Sequence, residues 1–309
     1  YKREYPFLKE VDSLALANVQ LHLEKAYKNF FRDPKIGFPK FKSKHHSRNS
    51  YTTNVVNGNI LVESKRIRLP KLKWIAMKKH REPAKGLRLK SVTVSMEPSG
   101  KYFASLLYEG DSCENQAAEP DYSTAKILGI DYAMQGMAVF SEEIEMEEAG
   151  FFRKNEKRLV REQRKLSRCV RGSHNYELQK KKVARCHEKI RNQRRDYLHK
   201  LSRKIVDSYD AVAVEDIDMK AMGQCLHFGK SVHDNGYGIF REMLDYKLAW
   251  KGKKIVKVDR FFPSSKKCCQ CGRIKKELKL SERVYHCVCG NEMDRDRNAA
   301  INIREEARR

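Results

Sequence analysis

Three well-separated segments of this chain end an apolar run, or begin a helix, on a carboxylate, and that recurrence restricts the fold more than any other feature. In Lys126–Ser141, KILGIDYAMQGMAVFS, the apolar run breaks on Asp131 and resumes as Met137-Ala138-Val139-Phe140 after the turn pair Gln135-Gly136. This predicts two short strands with an acid at the hinge. A second run, Ala211-Val212-Ala213-Val214, ends on Glu215, and a third acidic site, Asp294-Arg295-Asp296, opens the helical-looking stretch 298–303. One acid at a strand end commonly does no more than cap a turn. Three, each on the end of a rigid element, can be aimed at one point. Carboxylates gathered in this way cannot all stay ionised without cations between them, and hard oxygen ligands suit Mg²⁺ or Mn²⁺. Two such ions can clamp the attacking and leaving oxygens of a phosphodiester.

Charge points to the same kind of substrate. Lys and Arg number 65 against 40 Asp and Glu in 309 residues, a net charge of +25, which favours a polyanionic partner bound with strong salt dependence. Nucleic acid is the natural candidate. No apolar run approaches the roughly 20 residues of a spanning helix and no signal peptide is visible, so a cytosolic or nucleoid location and no membrane are expected. Cys113, Cys169, Cys186 and Cys225 are scattered, whereas Cys268, Cys269, Cys271, Cys287 and Cys289 cluster. That distribution reads as reduced thiols plus one metal site, not a disulfide framework. Cys268-x-x-Cys271-Gly272 followed by Cys287-x-Cys289-Gly290 matches a tetrahedral zinc site of four thiolates, with His286 as a fallback ligand. Four protein ligands leave no open position, so this zinc folds a knuckle and does no chemistry.

In chain order, residues 1–48 read as helical, with Asp12-Ser13 as a cap and Leu16, Val19, Leu23, Ala26, Tyr27 and Phe30 as the expected core face. The basic loop 37–46 interleaves Phe38 and Phe41 with lysines, which suits base stacking and phosphate neutralisation; the alternative is a solvated loop with both rings tucked into the core. From Tyr51 to Tyr108, short alternating runs separated by Asn57-Gly58, Leu69-Pro70 and Pro98-Ser99-Gly100 predict a small antiparallel sheet or barrel. The polar stretch 109–123 reads as a domain boundary. Two charged helices are expected over 151–171 and 174–207, split at Gly172-Ser173, the second carrying an apolar stripe of Val183, Cys186, Ile190, Tyr197, Leu201 and Ile205. A Gly-rich connection, 229–238, then leads to a helix around Ile239–Leu248 and a strand at 254–258. Strands and helices alternating from Lys126 onward indicate an α/β layer structure.

The ordered blocks GIDYAMQGMAVFS, EKIRNQRRDYLHKLS, AVAVEDIDMKAM, GKSVHDNGYGIFREML, KVDRFFPSSKKCCQCG and YHCVCGNEMDRDRNAAINI, with SYTTN near Ser50 and PSGKYFASL near Ser99, strongly resemble the TnpB nucleases of bacterial insertion sequences, relatives of the type V CRISPR effectors. The resemblance covers nearly the whole chain. It implies an RNA-guided DNA endonuclease built as an α/β, RNase H-like (RuvC) nuclease domain with an inserted zinc ribbon, preceded by a small β-barrel and a helical recognition segment. The corresponding boundaries are 1–48 for the helical segment, 49–122 for the barrel, 123–261 and 293–309 for the nuclease, and 262–292 for the ribbon.

Carried over by position, the catalytic and Mg²⁺- or Mn²⁺-binding acids are Asp131, Glu215 and Asp296, with Asp294 ranked next and Asp216 and Asp218 read as turn or surface acids. Cys268, Cys271, Cys287 and Cys289 are the zinc ligands, and Lys40, Lys42, Lys44 and Arg48 the candidate nucleic-acid contacts. Guide RNA and target double-stranded DNA are the implied partners, with a short motif beside the target read by the N-terminal half. The chain departs from the family pattern in two places: one more basic strand normally precedes the first helices, and Cys287-x-Cys289 is one residue shorter than the usual pair. Four alternatives stand beside this reading: a nuclease-silent RNA-guided repressor, a guide-independent structure-specific nuclease, a structural RNA-binding protein and a small type V effector. The first should have lost an acid, and all three are present.

Overall fold

The computed structural model describes residues 2–41, 43, 49–110, 121–133, 137–144, 151–217, 236–279 and 281–309. It divides into two compact units, Tyr1–Cys113 with His174–Arg185, and Glu114–Ser173 with Cys186–Arg309.

In the first unit, helix α1 (Ser13–Arg32) starts where Asp12 accepts from the Leu14 amide at 3.2 Å, the cap expected from the sequence. The helix ends at Arg32, well short of residue 48, and its predicted face is only partly covered. Leu16, Ala26, Tyr27 and Phe30 are half-buried, Val19 and Leu23 are more than half exposed, and the buried positions are Ala15 and Asn18. Two side-chain anchors decide this rotation. Asn18 Nδ2 donates to the Thr52 carbonyl at 3.1 Å, and the buried Thr53 hydroxyl donates to Asp12, so the strand Ser50–Asn54 (β1) holds the helix by polar groups.

Two three-stranded antiparallel sheets follow: β1 (Ser50–Asn54), β5 (Arg88–Met96) and β6 (Tyr102–Glu109), then β2 (Leu61–Val62), β3 (Arg66–Leu69) and β4 (Lys73–Ala76). They share a core of Ile60, Ile67, Leu69 and Val92. Among the described residues no strand pairing joins the two sheets, so the unit is a pair of packed sheets. The runs Leu87–Leu89 and Ser91–Val94, separate in the sequence pattern, form one strand with a register shift between Leu89 and Ser91.

The second unit is built on a four-stranded sheet in the order β10 (Lys254–Val258), β9 (Ala211–Glu215), β7 (Ile127–Ala133) and β8 (Met137–Phe140), parallel except for the β7–β8 hairpin. The strands read as continuous apolar runs because both faces are covered. Alternation sorts them. Leu128, Ile130, Val212 and Val214 pack with α3 (His174–Ser208) and α4 (Tyr237–Ala249), whereas Ile127, Ala211 and Ala213 pack with α5 (Arg295–Ala307). Burial of each large aliphatic side chain contributes about 1.5–3 kcal/mol. Helix α2 (Phe151–Ser167) precedes α3, and the expected stripe is largely inward, with Cys186, Ile190, Leu201 and Ile205 buried. Between β10 and α5 a knuckle carries the hairpin β11 (Val284–His286) and β12 (Glu292–Asp294). Among the described residues no helix is long and apolar enough to cross a membrane.

Candidate active site

Pairing register brings the first two acids together. The last β7–β9 pair is Ile130 with Val214, so Asp131 and Glu215 are the next residues along two neighbouring parallel strands. By alternation both lie on the face that carries Ile127, Gly129, Ala211 and Ala213, the face covered by α5. Asp131 lies inside β7, opposite Val139 of β8, and so is not at the hinge that the apolar pattern suggests; the turn at Gln135-Gly136 falls outside the described residues.

The third acid arrives because α5 lies unusually close to β7. A Cβ on Gly129 would fall 2.0 Å from the Ala300 carbonyl oxygen and 2.9 Å from the Arg304 amide, so only glycine admits the helix. Asp296, one turn before Ala300, is thereby carried toward Asp131, two residues beyond Gly129. A helical turn and two strand residues each advance about 6 Å.

The electrostatics follow. Burial, then the negative charges of Glu215 and Asp296, raise the Asp131 carboxyl well above its usual range, against the Tyr132 amide and Arg295. Asp131 keeps some surface open to solvent while its carboxyl group is enclosed by protein. Burial also raises Glu215, against the Ser264 hydroxyl, which donates to Glu215 Oε1. Asp296 Oδ1 lies 3.3 Å from Arg295 Nε, and Oδ2 lies 3.8 Å from Arg283 Nη1. Glu215 and Asp296 thus both act on the enclosed Asp131 carboxyl, and carboxylates are the hard oxygen donors that divalent cations take. Asp294 does something else: exposed, it caps α5 by accepting from the Arg297 amide at 2.9 Å. Asp216 pairs with Arg260 at 3.6 Å on the surface, and Asp218 lies outside the described residues.

The knuckle brings its four sulfurs within 4.8 Å of one another, with Cys268–Cys289 at 3.7 Å and Cys271–Cys287 at 3.6 Å. Tetrahedral zinc–thiolate bonds require a sulfur–sulfur edge of about 3.8 Å, so the cluster fits zinc. The shortened second pair thus reaches the site, because Gly290 at φ +90° turns the chain tightly after Cys289. His286 faces Glu292 at 3.5 Å, and Cys269 faces Met293 at 3.5 Å, so neither joins the sulfurs. Burial disfavours ionisation of Cys268, but the amides of Cys271 and Gln270 and the Asn291 side chain bring it down to about 6, within reach of a metal-ligating thiolate.

Residues 106–225 match a family model described as "Probable transposase", and residues 237–303 match the Cas12f1-like TNB domain. A protein of Streptomyces pristinaespiralis named "Putative RNA-guided DNA endonuclease" is 34% identical over 97% of this chain and 73% of its own length. The chain belongs to the TnpB family. An Escherichia coli K12 relative of the same description, InsQ, is 33% identical over 97% of this chain and 76% of its own length. The fold is shared with Cas12f1 in its solved complex with sgRNA and target DNA: TM-score 0.54, 15% identity, covering 89% of this chain and 67% of that one.

Four residues of this TnpB-family chain around these acids and the knuckle escape the sequence pattern. Ser264, beside Glu215, is an ordinary serine in PSSKK. Asn298 and Asn302, fully buried on α5, read as spacers in NAAIN. The Tyr237 ring stacks edge-on against Tyr132 at 5.0 Å, and its buried hydroxyl has no hydrogen-bond partner among the described residues. Burial and the nearby Asp131 raise that hydroxyl above its ordinary range. Of the candidate nucleic-acid contacts, Lys40 is exposed, beside the exposed rings of Phe38 and Phe41, which are therefore not core; Lys42, Lys44 and Arg48 lie outside the described residues.

Proposed function

We propose that the chain is an RNA-guided DNA endonuclease of RuvC type, in which Asp131, Glu215 and Asp296 are the catalytic acids. The observation that supports this is how near they come to one another on the two central strands of the α/β sheet: adjacent register for the first two, close helix approach for the third, and electrostatic coupling of Asp131 to both. The two relatives are named for the same activity, and Cas12f1, which shares the fold, was solved with sgRNA and target DNA.

The three carboxylates would hold Mg²⁺ or Mn²⁺, which supplies an activated water and neutralises charge on the scissile phosphate. Strands β7 and β9 fix Asp131 and Glu215 rigidly, and the Ser264 hydroxyl favours the ionised form of Glu215. The chain's net charge of +25, with exposed Lys and Arg along α2 and α3, suits guide RNA and target double-stranded DNA. Base pairing with the guide selects the target, and the N-terminal half, with Lys40, Lys42, Lys44 and Arg48 as contacts, reads the flanking motif. In this assignment 1–48 is the recognition segment, 49–122 the β-domain, 123–261 with 293–309 the nuclease, and 262–292 a ribbon folded by zinc on Cys268, Cys271, Cys287 and Cys289. Such a protein works in the cytosol or nucleoid, where guide and target meet.

The test is plasmid cleavage by protein co-purified with RNA from its own locus, on a target flanked by randomised sequence, with and without Mg²⁺. Mg²⁺-dependent linearisation beside one flanking motif, lost in Asp131→Ala, Glu215→Ala and Asp296→Ala with RNA binding retained, is expected. Guided binding with no cut by the wild type would replace the nuclease with a repressor, and loss of RNA binding in all three variants would make the acids structural.

A further inference from the structure

The knuckle and Glu215 are joined by a short, largely buried and continuous set of hydrogen bonds that runs through α5, the helix carrying Asp296. Lys267, immediately before Cys268, offers its carbonyl to two side chains of α5: Asn298 Nδ2 at 2.7 Å and Asn302 Nδ2 at 2.6 Å. Asn298 Oδ1 accepts from the amide of Cys269, between the first two zinc ligands, at 3.0 Å, which fixes the orientation of its amide group. Asn302 Nδ2 also donates to the Ser264 carbonyl at 2.8 Å, and the hydroxyl of that same Ser264 donates to Glu215. Asn298 is 0% and Asn302 3% exposed, so water does not substitute for these bonds. Asn298 lies two residues after Asp296, on the helix whose backbone touches Gly129.

We infer that Asn298, Asn302 and Ser264 are positioning residues through which the four-cysteine knuckle orients Asp296 and Glu215 in the divalent-cation site proposed above. The knuckle is then more than a folding device. A carboxylate on the first turn of a helix moves with that helix; α5 meets β7 across a glycine that sets how near it comes, and its apolar contacts through Ile303 and Ala307 lie toward the far end, leaving the first turn to be restrained elsewhere. The asparagines supply that restraint from one side, against a loop that the metal-binding sulfurs make rigid. Ser264 ties the same loop to the acid on β9. The cation site is thus triangulated from β7, β9 and the knuckle. This rests on the reading of the three acids as a metal-dependent site.

The experiment uses the full chain with its RNA and reads three quantities: zinc per chain, Mn²⁺ affinity of the acid site by isothermal titration with an Asp131→Asn blank, and single-turnover cleavage against Mg²⁺ concentration. Asn302→Ala and Asn298→Ala are expected to retain one zinc per chain, to weaken Mn²⁺ binding about tenfold, and to slow cleavage by about 10²-fold at fixed Mg²⁺ with target-DNA affinity unchanged. Ser264→Ala should move both readouts the same way and Ser264→Thr, which keeps the hydroxyl, should restore them to within about threefold of wild type. Zinc lost together with Mn²⁺ affinity in both asparagine variants would reduce the asparagines to folding the knuckle, and Ser264→Ala with unaltered Mn²⁺ affinity would overturn the link to Glu215. Unchanged Mn²⁺ affinity in all the variants would overturn the whole proposal. Should the wild type bind Mn²⁺ through Asp131 yet cut no DNA, the nuclease reading fails, while the positioning of a cation site is still decided by the affinities.

Discussion

Replacing Gly129 by alanine tests the geometry of the site with one carbon atom. The new Cβ would lie 2.0 Å from the Ala300 carbonyl oxygen and 2.9 Å from the Arg304 backbone nitrogen. Cβ atoms essentially never approach another heavy atom within 3.0 Å, so helix and strand must separate by about 1 Å, and the obstructing atoms are backbone that no rotamer change removes. The separation opens the layer of Ile127, Ala211, Ala213 and Ile303 and costs about 1–3 kcal/mol. For a unit of this size each kcal/mol lowers Tm by roughly 2–4 °C. Asp296 moves with the helix, away from Asp131, and a misplacement of about 1 Å at a reacting centre costs on the order of 10²-fold in rate. Gly129→Ala should therefore melt about 2–12 °C lower and cut about 10²-fold more slowly, with zinc content intact. The assays are thermal unfolding and single-turnover cleavage on the same preparation. Wild-type cleavage at an unchanged Tm would refute the close approach of α5 as the feature that assembles the site.

Two further outcomes are expected. Asp131 and Glu215 are both raised, so the unfolded chain ionises first and the Mg²⁺-free protein loses stability as pH climbs from the ordinary carboxylate range through the raised values; Asp131→Asn escapes its share of this loss. Its Tm advantage over wild type should be near zero at pH 4 and greatest near pH 8, at about 1.4 kcal/mol for each tenfold by which folding tightens proton binding at Asp131, and added Mg²⁺ should narrow it; an advantage independent of pH would show that neither burial nor the neighbouring acids raise Asp131. Tyr237→Phe removes a buried hydroxyl that has no partner among the described residues, so Tm should rise, by an amount set by roughly 1 kcal/mol. Cleavage should fall about tenfold, because the hydroxyl stands near Asp131, and a lower Tm with full cleavage would show that the hydroxyl is hydrogen-bonded and serves only the fold.

Much of the second unit was legible from residue order alone, because its physics is local. Apolar runs long enough to bury both faces of a parallel strand mark β7 and β9, and the Gly172-Ser173 break separates α2 from α3. Cysteine spacing marks the knuckle, since thiolates close in sequence have little freedom to go elsewhere. The N-terminal unit was less legible. The apolar spacing of α1 suggested one core face, but polar anchors, Asn18 on Thr52 and Asp12 with Thr53, turn the helix so that Val19 and Leu23 are left exposed.

Residue types and periods thus determined which segments are strands and helices, which four sulfurs meet, and which acids are eligible for the site. Only the tertiary structure decided that Asp131 and Glu215 stand side by side on the two central strands and that Asp296 comes near Asp131. That depends on pairing register between strands about eighty residues apart and on a helix seated against a glycine, and neither distance is written in any local pattern. The roles of Asn298, Asn302 and Ser264 were invisible for the same reason: a buried amide or hydroxyl acquires meaning only from the carbonyl or carboxylate that folding places within 3 Å of it.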